Sequence, residues 1–314
     1  MNRAFLLAAL VAVSLGAFSG CSKDNTTEAT QTEEEFITQV STGQETASAD
    51  LFSSDKDALD EGAQLKAAIK GLKKEGLAPI TPLRYGRIID NVTRSVTRPI
   101  TKQGDTLVIA NVKAVFTGRF VIQALSGVDT VLVEKPYVET VERNVRFVRV
   151  ANTRHPRLNW KLDGVSVLHG GTATQGIAIT SLEVVTPTQT FTVTDPDAYW
   201  MQIDRSWIRR MPVLNNVPVT LRLTVESAKS DSDIVTLHYQ PGTFGLHHAP
   251  FLLSSETQNG GTYTRVYEKS WTISGSARKY AHFMVSATTR ESLLDNGTGN
   301  FSSVVWGIPY KPAE

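Results

Sequence analysis

The feature that most constrains this chain is a two-residue alternation that recurs in separate stretches. Val108, Ala110, Val112, Ala114 and Phe116 alternate with polar or smaller partners, and Val219, Leu221, Leu223 and Val225 alternate with Thr220, Arg222, Thr224 and Glu226. Ala281, Phe283, Val285 and Ala287 do the same against Tyr280, His282, Met284 and Ser286. Successive side chains of a strand point to opposite faces, so this period predicts strands with one face buried. A mainly β fold follows.

One helix is expected before these strands. Ser54 caps with Asp57 three residues on, Leu59, Ala63, Ile69 and Leu72 recur near helical spacing, and Lys73, Lys74 and Gly76 close the last turn. Pro79 and Pro82 then break the chain ahead of strands expected near 84–99, 106–124, 131–150 and 157–169. One helix plus a four-stranded antiparallel meander is an α+β layout, assigned to 54–172. In order and strand length it is similar to cystatin-like or NTF2-like folds.

After Gly170-Gly171-Thr172 the strands become shorter and the turns denser. Segments near 177–185, 189–194, 262–273 and 301–308 join the two alternating stretches. Asp231-Ser232-Asp233 is expected to fold 219–226 and 234–239 into a hairpin. About seven strands over 173–314 resemble an immunoglobulin-like β-sandwich that lacks the disulfide.

Cys21 is the single cysteine. It follows Arg3, an apolar run over 4–17 and the small residues Ser19 and Gly20, the layout of a secretory signal peptide over 1–20. With Phe18-Ser19-Gly20-Cys21 the leader resembles those of bacterial lipoproteins. That resemblance implies cleavage before Cys21, lipid on its thiol, and, with Ser22 next, the outer membrane, with the exposed face left open. Several acyl chains anchor stably where one does not, so the body would hang from a membrane without spanning it. Lipidation would also consume the thiol that a disulfide or a cysteine nucleophile needs.

Residues 21–53 read as a flexible acidic linker, rich in Thr, Glu, Ser and Asp with few aromatics, and Glu33, Glu34 and Glu35 read as a solvated run within it. Residues 22–62 hold eleven acidic and two basic side chains, whereas 63–314 hold twenty acidic and twenty-nine basic. A net charge of +1 therefore hides an acidic linker and a basic body. Such a body is drawn toward anionic lipid or acidic glycans in a salt-sensitive way, and nucleic acid is not an expected partner of an envelope protein.

Phosphate-loop, dinucleotide, nucleophile-elbow and His-Glu-x-x-His patterns are all missing from the sequence, and no cofactor is expected. The sharpest binding candidates are Tyr199, Trp200, Arg205, Trp207, Arg209 and Arg210, since flat rings beside guanidinium groups suit sugars or extended peptides. The simpler alternative packs those rings into a seam. His238, His247 and His248 could converge on zinc or copper, although adjacent histidines on extended backbone point apart. Asp195-Pro196-Asp197 and Asp231-Ser232-Asp233 could contribute to calcium, but turn formation explains both more simply. Tyr263, Tyr267 and Trp271 share one strand face.

Three functional classes are compatible with this reading. The favoured one is a non-catalytic envelope lipoprotein that binds or scaffolds a glycan, a peptide or another envelope protein. The second is a ligand-binding or enzymatic α+β domain with a pocket between helix and curved sheet, near Arg154, His155, Trp160 and Asp163. The third is a periplasmic metal-handling protein centred on His238, His247 and His248.

Overall fold

The structure, a computed structural model, describes residues 31–74, 80–97, 101–173, 176–202, 213–214, 218–239, 248–272, 281–294 and 301–312. Cys21 and the leader lie outside them. Gln31–Glu314 forms one compact unit.

The described chain opens with three helices, α1 (Glu33–Ser41), α2 (Thr46–Leu59) and α3 (Gly62–Ala68). Most of the expected linker is therefore helical from Glu33 onward. Thr32 and Glu35 form a reciprocal capping box, and the three glutamates occupy the positive N-terminal turn of α1. Phe36, Ile37, Val40, Leu51 and Phe52 are buried, so the segment has the apolar anchors that a free linker lacks. The helix expected from Ser54 starts earlier and breaks at Asp60-Glu61. There Asp60 Oδ1 accepts from the Gly62 and Ile89 amides at 2.9 and 3.2 Å, turning the chain into α3.

Strands follow as β1 (Lys73–Lys74), β2 (Thr81–Val96), β3 (Thr101–Gln103), β4 (Leu107–Ser126) and β5 (Asp129–Arg149). After the short helix α4 (Pro156–Asn159) come β6 (Trp160–Ser166), β7 (Leu168–Gly171), β8 (Ile177–Val185), β9 (Thr190–Val193), β10 (Trp200–Gln202) and β11 (Val213–Leu214). The remainder is β12 (Pro218–Ser227), β13 (Ile234–Tyr239), β14 (His248–Pro250), β15 (Leu252–Asn259), β16 (Thr262–Thr272), β17 (Ala281–Thr288), helix α5 (Arg290–Leu294) and β18 (Ser303–Pro312). The protein is mainly β, and the strands expected at 84–99, 106–124, 131–150, 177–185, 189–194, 262–273 and 301–308 correspond to β2, β4, β5, β8, β9, β16 and β18, whereas the one expected at 157–169 starts in α4 and is divided between β6 and β7.

Two sheets, mostly antiparallel, hold these strands. The larger contains the meander β2–β4–β5–β6 and continues from β5 through β7, β18, β17 and β13 to β14. It curls until its ends meet, because the Tyr85 ring of β2 stacks on His248 of β14 at 5.7 Å. The smaller sheet runs β15–β16–β12–β8–β9. β12 and β13 are thus not the expected hairpin. β12 pairs with β8 and β16, β13 with β14 and β17, and the Asp231–Asp233 turn carries the chain from one sheet to the other. Asp233 fixes that crossing through Arg265 at 2.9 Å and Ser227 at 3.1 Å, in full burial.

Strand β17 explains why the expected division at 172/173 does not separate two bodies. Its Phe283, Val285 and Ala287 share a core with Leu182, Leu221 and Leu223 of the smaller sheet and with Val108, Ala110, Val145 and Phe147 from before residue 172. Its Met284, on the other face, packs with Leu59, Phe116 and Val141. The boundary residues Gly170 and Gly171 are themselves in β7, paired to β5 on one side and β18 on the other.

Candidate functional site

The inward positions of β5 are the odd numbers from Val131 to Phe147, and three of them are charged: Lys135, Glu139 and Arg143, each at most 1% exposed. Facing strands and helices add Ser54, Asp55, Glu61, Arg87, His238, His282, Ser286 and Ser303, all buried. Sequence reasoning passed over most of these residues. The available signal was a charge in an apolar register position of a long strand, which is costly unless a partner is built for it.

One part of this polar layer joins α2 to β5 and β17. Arg143 Nη2 donates to Asp55 at 2.6 Å and Nη1 to His282 Nε2 at 3.3 Å. A guanidinium can only donate, so Nε2 accepts and the His282 proton sits on Nδ1, which contacts Ser54 Oγ. The Ser54 hydroxyl in turn donates to the Leu51 carbonyl at 2.8 Å. Serine, histidine and aspartate are adjacent here, yet the proton order is the reverse of a nucleophile activated by a base, and all three are enclosed. Burial brings the His282 imidazole down to about 4, with Asp55 opposing and Arg143 reinforcing.

The second part involves the expected histidines. His238 and His248 are directly opposite on β13 and β14, with ring centroids 6.3 Å apart. His247 lies outside the described residues. Arg87 Nη1 donates to His238 Nε2 at 3.1 Å, and Ser286 Oγ lies 2.8 Å from the same nitrogen. His238 Nδ1 therefore carries the proton and stands 3.8 Å from Glu61 Oε1, which His248 Nδ1 also contacts. Glu61 Oε2 accepts the Arg87 amide at 2.9 Å. Burial, then Arg87 and His248, hold His238 well below its ordinary value. A buried cation against one imidazole nitrogen and a proton on the other oppose an ion, and among the described residues no three His, Cys, Asp or Glu are placed to hold one.

Beside this, Arg87 extends to Ser303 at 3.0 Å and lies over the Tyr137 and Phe301 rings, while Tyr137 bonds Glu139. Burial raises the Glu139 carboxyl against the opposing pull of Arg87. Leu59, Phe120, Phe301 and Met284 pack together in the core beside this layer, on the side where a pocket between helix and sheet is expected. Of the residues expected there, Trp160 lies under Arg149 at 4.8 Å, Asp163 pairs with Arg146 at 2.6 Å, and His155 precedes α4.

The aromatic patch is only partly described, since Arg205, Trp207, Arg209 and Arg210 fall outside the described residues. Tyr199 is half-buried and stacks on Phe191 at 5.7 Å, and Trp200 opens β10 with the Arg146 guanidinium 4.9 Å over its ring. Each of these two rings thus packs against a side chain of a neighbouring strand. Asp195 caps its own turn through the Asp197 amide at 3.0 Å. Tyr267 and Trp271 are core residues, and Tyr263 lies under Arg265 at 4.8 Å.

A different surface is open. Every residue of β15 is exposed, on both faces, and the strand forms the rim of the smaller sheet. Gly260 and Gly261, at φ 57° and 89°, make the two-residue turn into β16. Asn259 and Thr262 flank that turn as the first hydrogen-bonded pair, so alternation turns the N–H and C=O of Gln258 and Glu256 away from β16, toward the free edge. The register shifts between Leu253 and Ser255, and beside that bulge Leu252, Leu253, Ser254, Glu268, Lys269 and Ser270 line a groove of about 460 Å³. Leu252 is 75% exposed. Edge strands are commonly blunted by Lys, Pro or unpaired charge; β15 has neither Lys nor Pro, and Arg265 neutralises its single charge, Glu256, at 2.5 Å.

Comparison of the chain with protein-family models, with curated proteins and with solved structures finds no match.

Proposed function

We propose that this chain is a cell-envelope lipoprotein, lipidated at Cys21 after loss of residues 1–20 and held at the outer membrane, whose body binds or scaffolds by accepting an extended polypeptide segment along β15. In this reading the C-terminal part is an immunoglobulin-like sandwich, and the helices with the β2–β4–β5–β6 meander form an α+β layer against it. The observation that carries the binding role is the full exposure of β15 at a free sheet edge. Main-chain hydrogen bonds to an added strand give affinity, and the Leu252–Leu253 groove would select an apolar side chain on it.

Two measurements on cells test the two halves of the proposal. A palmitate analogue should label the wild type and not Cys21→Ala; label that survives the substitution removes the lipoprotein half. Gln258→Pro deletes an outward N–H without touching the β16 ladder, which edge strands tolerate. A photo-crosslinker at Ser255 should capture an envelope protein that the Gln258→Pro chain fails to capture, and identical capture by both chains removes the edge-binding half.

A further inference from the structure

The turn end of the β4–β5 hairpin carries an unusual combination of side chains. Ser126 pairs with Asp129 across the turn, and Gly127 takes φ 62°. Turns of this length favour Gly, Asn or Asp, yet the next position is Val128, 96% exposed, the most exposed of the described large apolar side chains. A β-branched residue held in water at a hairpin tip adds nothing to the fold. Leu83, 54% exposed, projects from the bulge between Pro82 and Arg84, only a few positions from the same end.

Cations gather around these two. Arg84 of β2 pairs with Gln123 of β4, which pairs in turn with Leu132 of β5. Helix α3 is pinned over this end by Leu65 with Ile88, Val121 and Leu132. It brings Lys66, and the turn after it brings Lys70; both are exposed, as is Arg84. None of Lys66, Lys70 and Arg84 makes an ion pair with another described residue. Asp129 is the acidic residue at the tip, and Glu134, farther along β5, is already paired with Arg119 at 2.9 Å.

We propose that this end of the molecule docks on an anionic bilayer surface, with Val128 and Leu83 entering the headgroup layer and Lys66, Lys70 and Arg84 meeting lipid phosphates. Exposed apolar side chains at the same end as cations that pair with no described residue match the two components of peripheral binding, apolar insertion and attraction to negative headgroups. The site is separate from β15 and does not depend on the edge-binding reading.

The test is co-sedimentation of residues 22–314 with vesicles of phosphatidylcholine alone or mixed with phosphatidylglycerol. Binding should require phosphatidylglycerol and weaken with salt. Lys70→Gln and Arg84→Gln should each weaken it about fivefold, and Val128→Asp about tenfold. These side chains are exposed, so thermal unfolding should match the wild type and separate lost docking from lost folding. Equal sedimentation with both vesicle types, none with either, or unchanged binding of the Val128→Asp chain overturns the proposal.

Discussion

His282 shows how a single residue can make this fold sensitive to acid. Its imidazole is fully enclosed and drawn down to about 4, while in the unfolded chain it returns to roughly 6.5. Because the folded value is the lower one, stability is fully present above about pH 6.5 and is lost as pH falls toward 4, by about 3 kcal/mol. His238 is shifted in the same direction, so a comparison is needed to isolate His282. Urea unfolding followed between about pH 7 and pH 4 should show a shallower loss for His282→Gln than for wild type; parallel slopes would refute the assignment. The sequence already displayed Lys135, Glu139 and Arg143 in the apolar register of β5. It could not display the partner of Arg143, because Asp55 is 88 positions away, nor the contact of Arg87 with His238, 151 positions apart.

Among elements, long strands were legible and their pairings were less so. The centre of the meander emerged because β4 and β5 alternate over long stretches and meet through a two-residue turn. The β12–β13 hairpin failed on the same logic, since a turn that crosses between sheets has the same polar composition as one that closes a hairpin. Helix α1 was hidden by its acidic first turn, although Thr32 with Glu35, followed by Phe36, Ile37 and Val40, is a capped amphipathic start. Strand β15 was missed because neither of its faces is buried. Close approach of strands adds a demand of its own at Gly118, opposite the bulge of β2, where a Cβ would stand 2.0 Å from the Ile88 carbonyl oxygen. Gly118→Ala should therefore force β2 and β4 apart and cost about 1–3 kcal/mol, seen as a lower urea midpoint and faster amide exchange in residues 86–92. Wild-type exchange there would contradict the close approach.

For the whole molecule, the shared core of β17 and the β5–β7–β18 connection predict one cooperative unit. Tryptophan fluorescence and far-ultraviolet dichroism should give coincident urea transitions for residues 22–314, and the fragment 173–314 should not fold alone, since its β17 and β18 would expose their contacts with β5, β7 and α2. Two separated transitions, or a folded fragment, would restore a two-domain body. By itself the sequence determined that the protein is mainly β, where most strands run and which faces they bury, because alternation is a local, period-two property carried by neighbouring residues. Only the tertiary structure decided which strands pair, that β17 is buried on both faces, that the acidic start folds into helices, and that β15 stays open. Those outcomes depend on contacts between residues far apart in the chain, where many arrangements satisfy the same local pattern and packing selects among them.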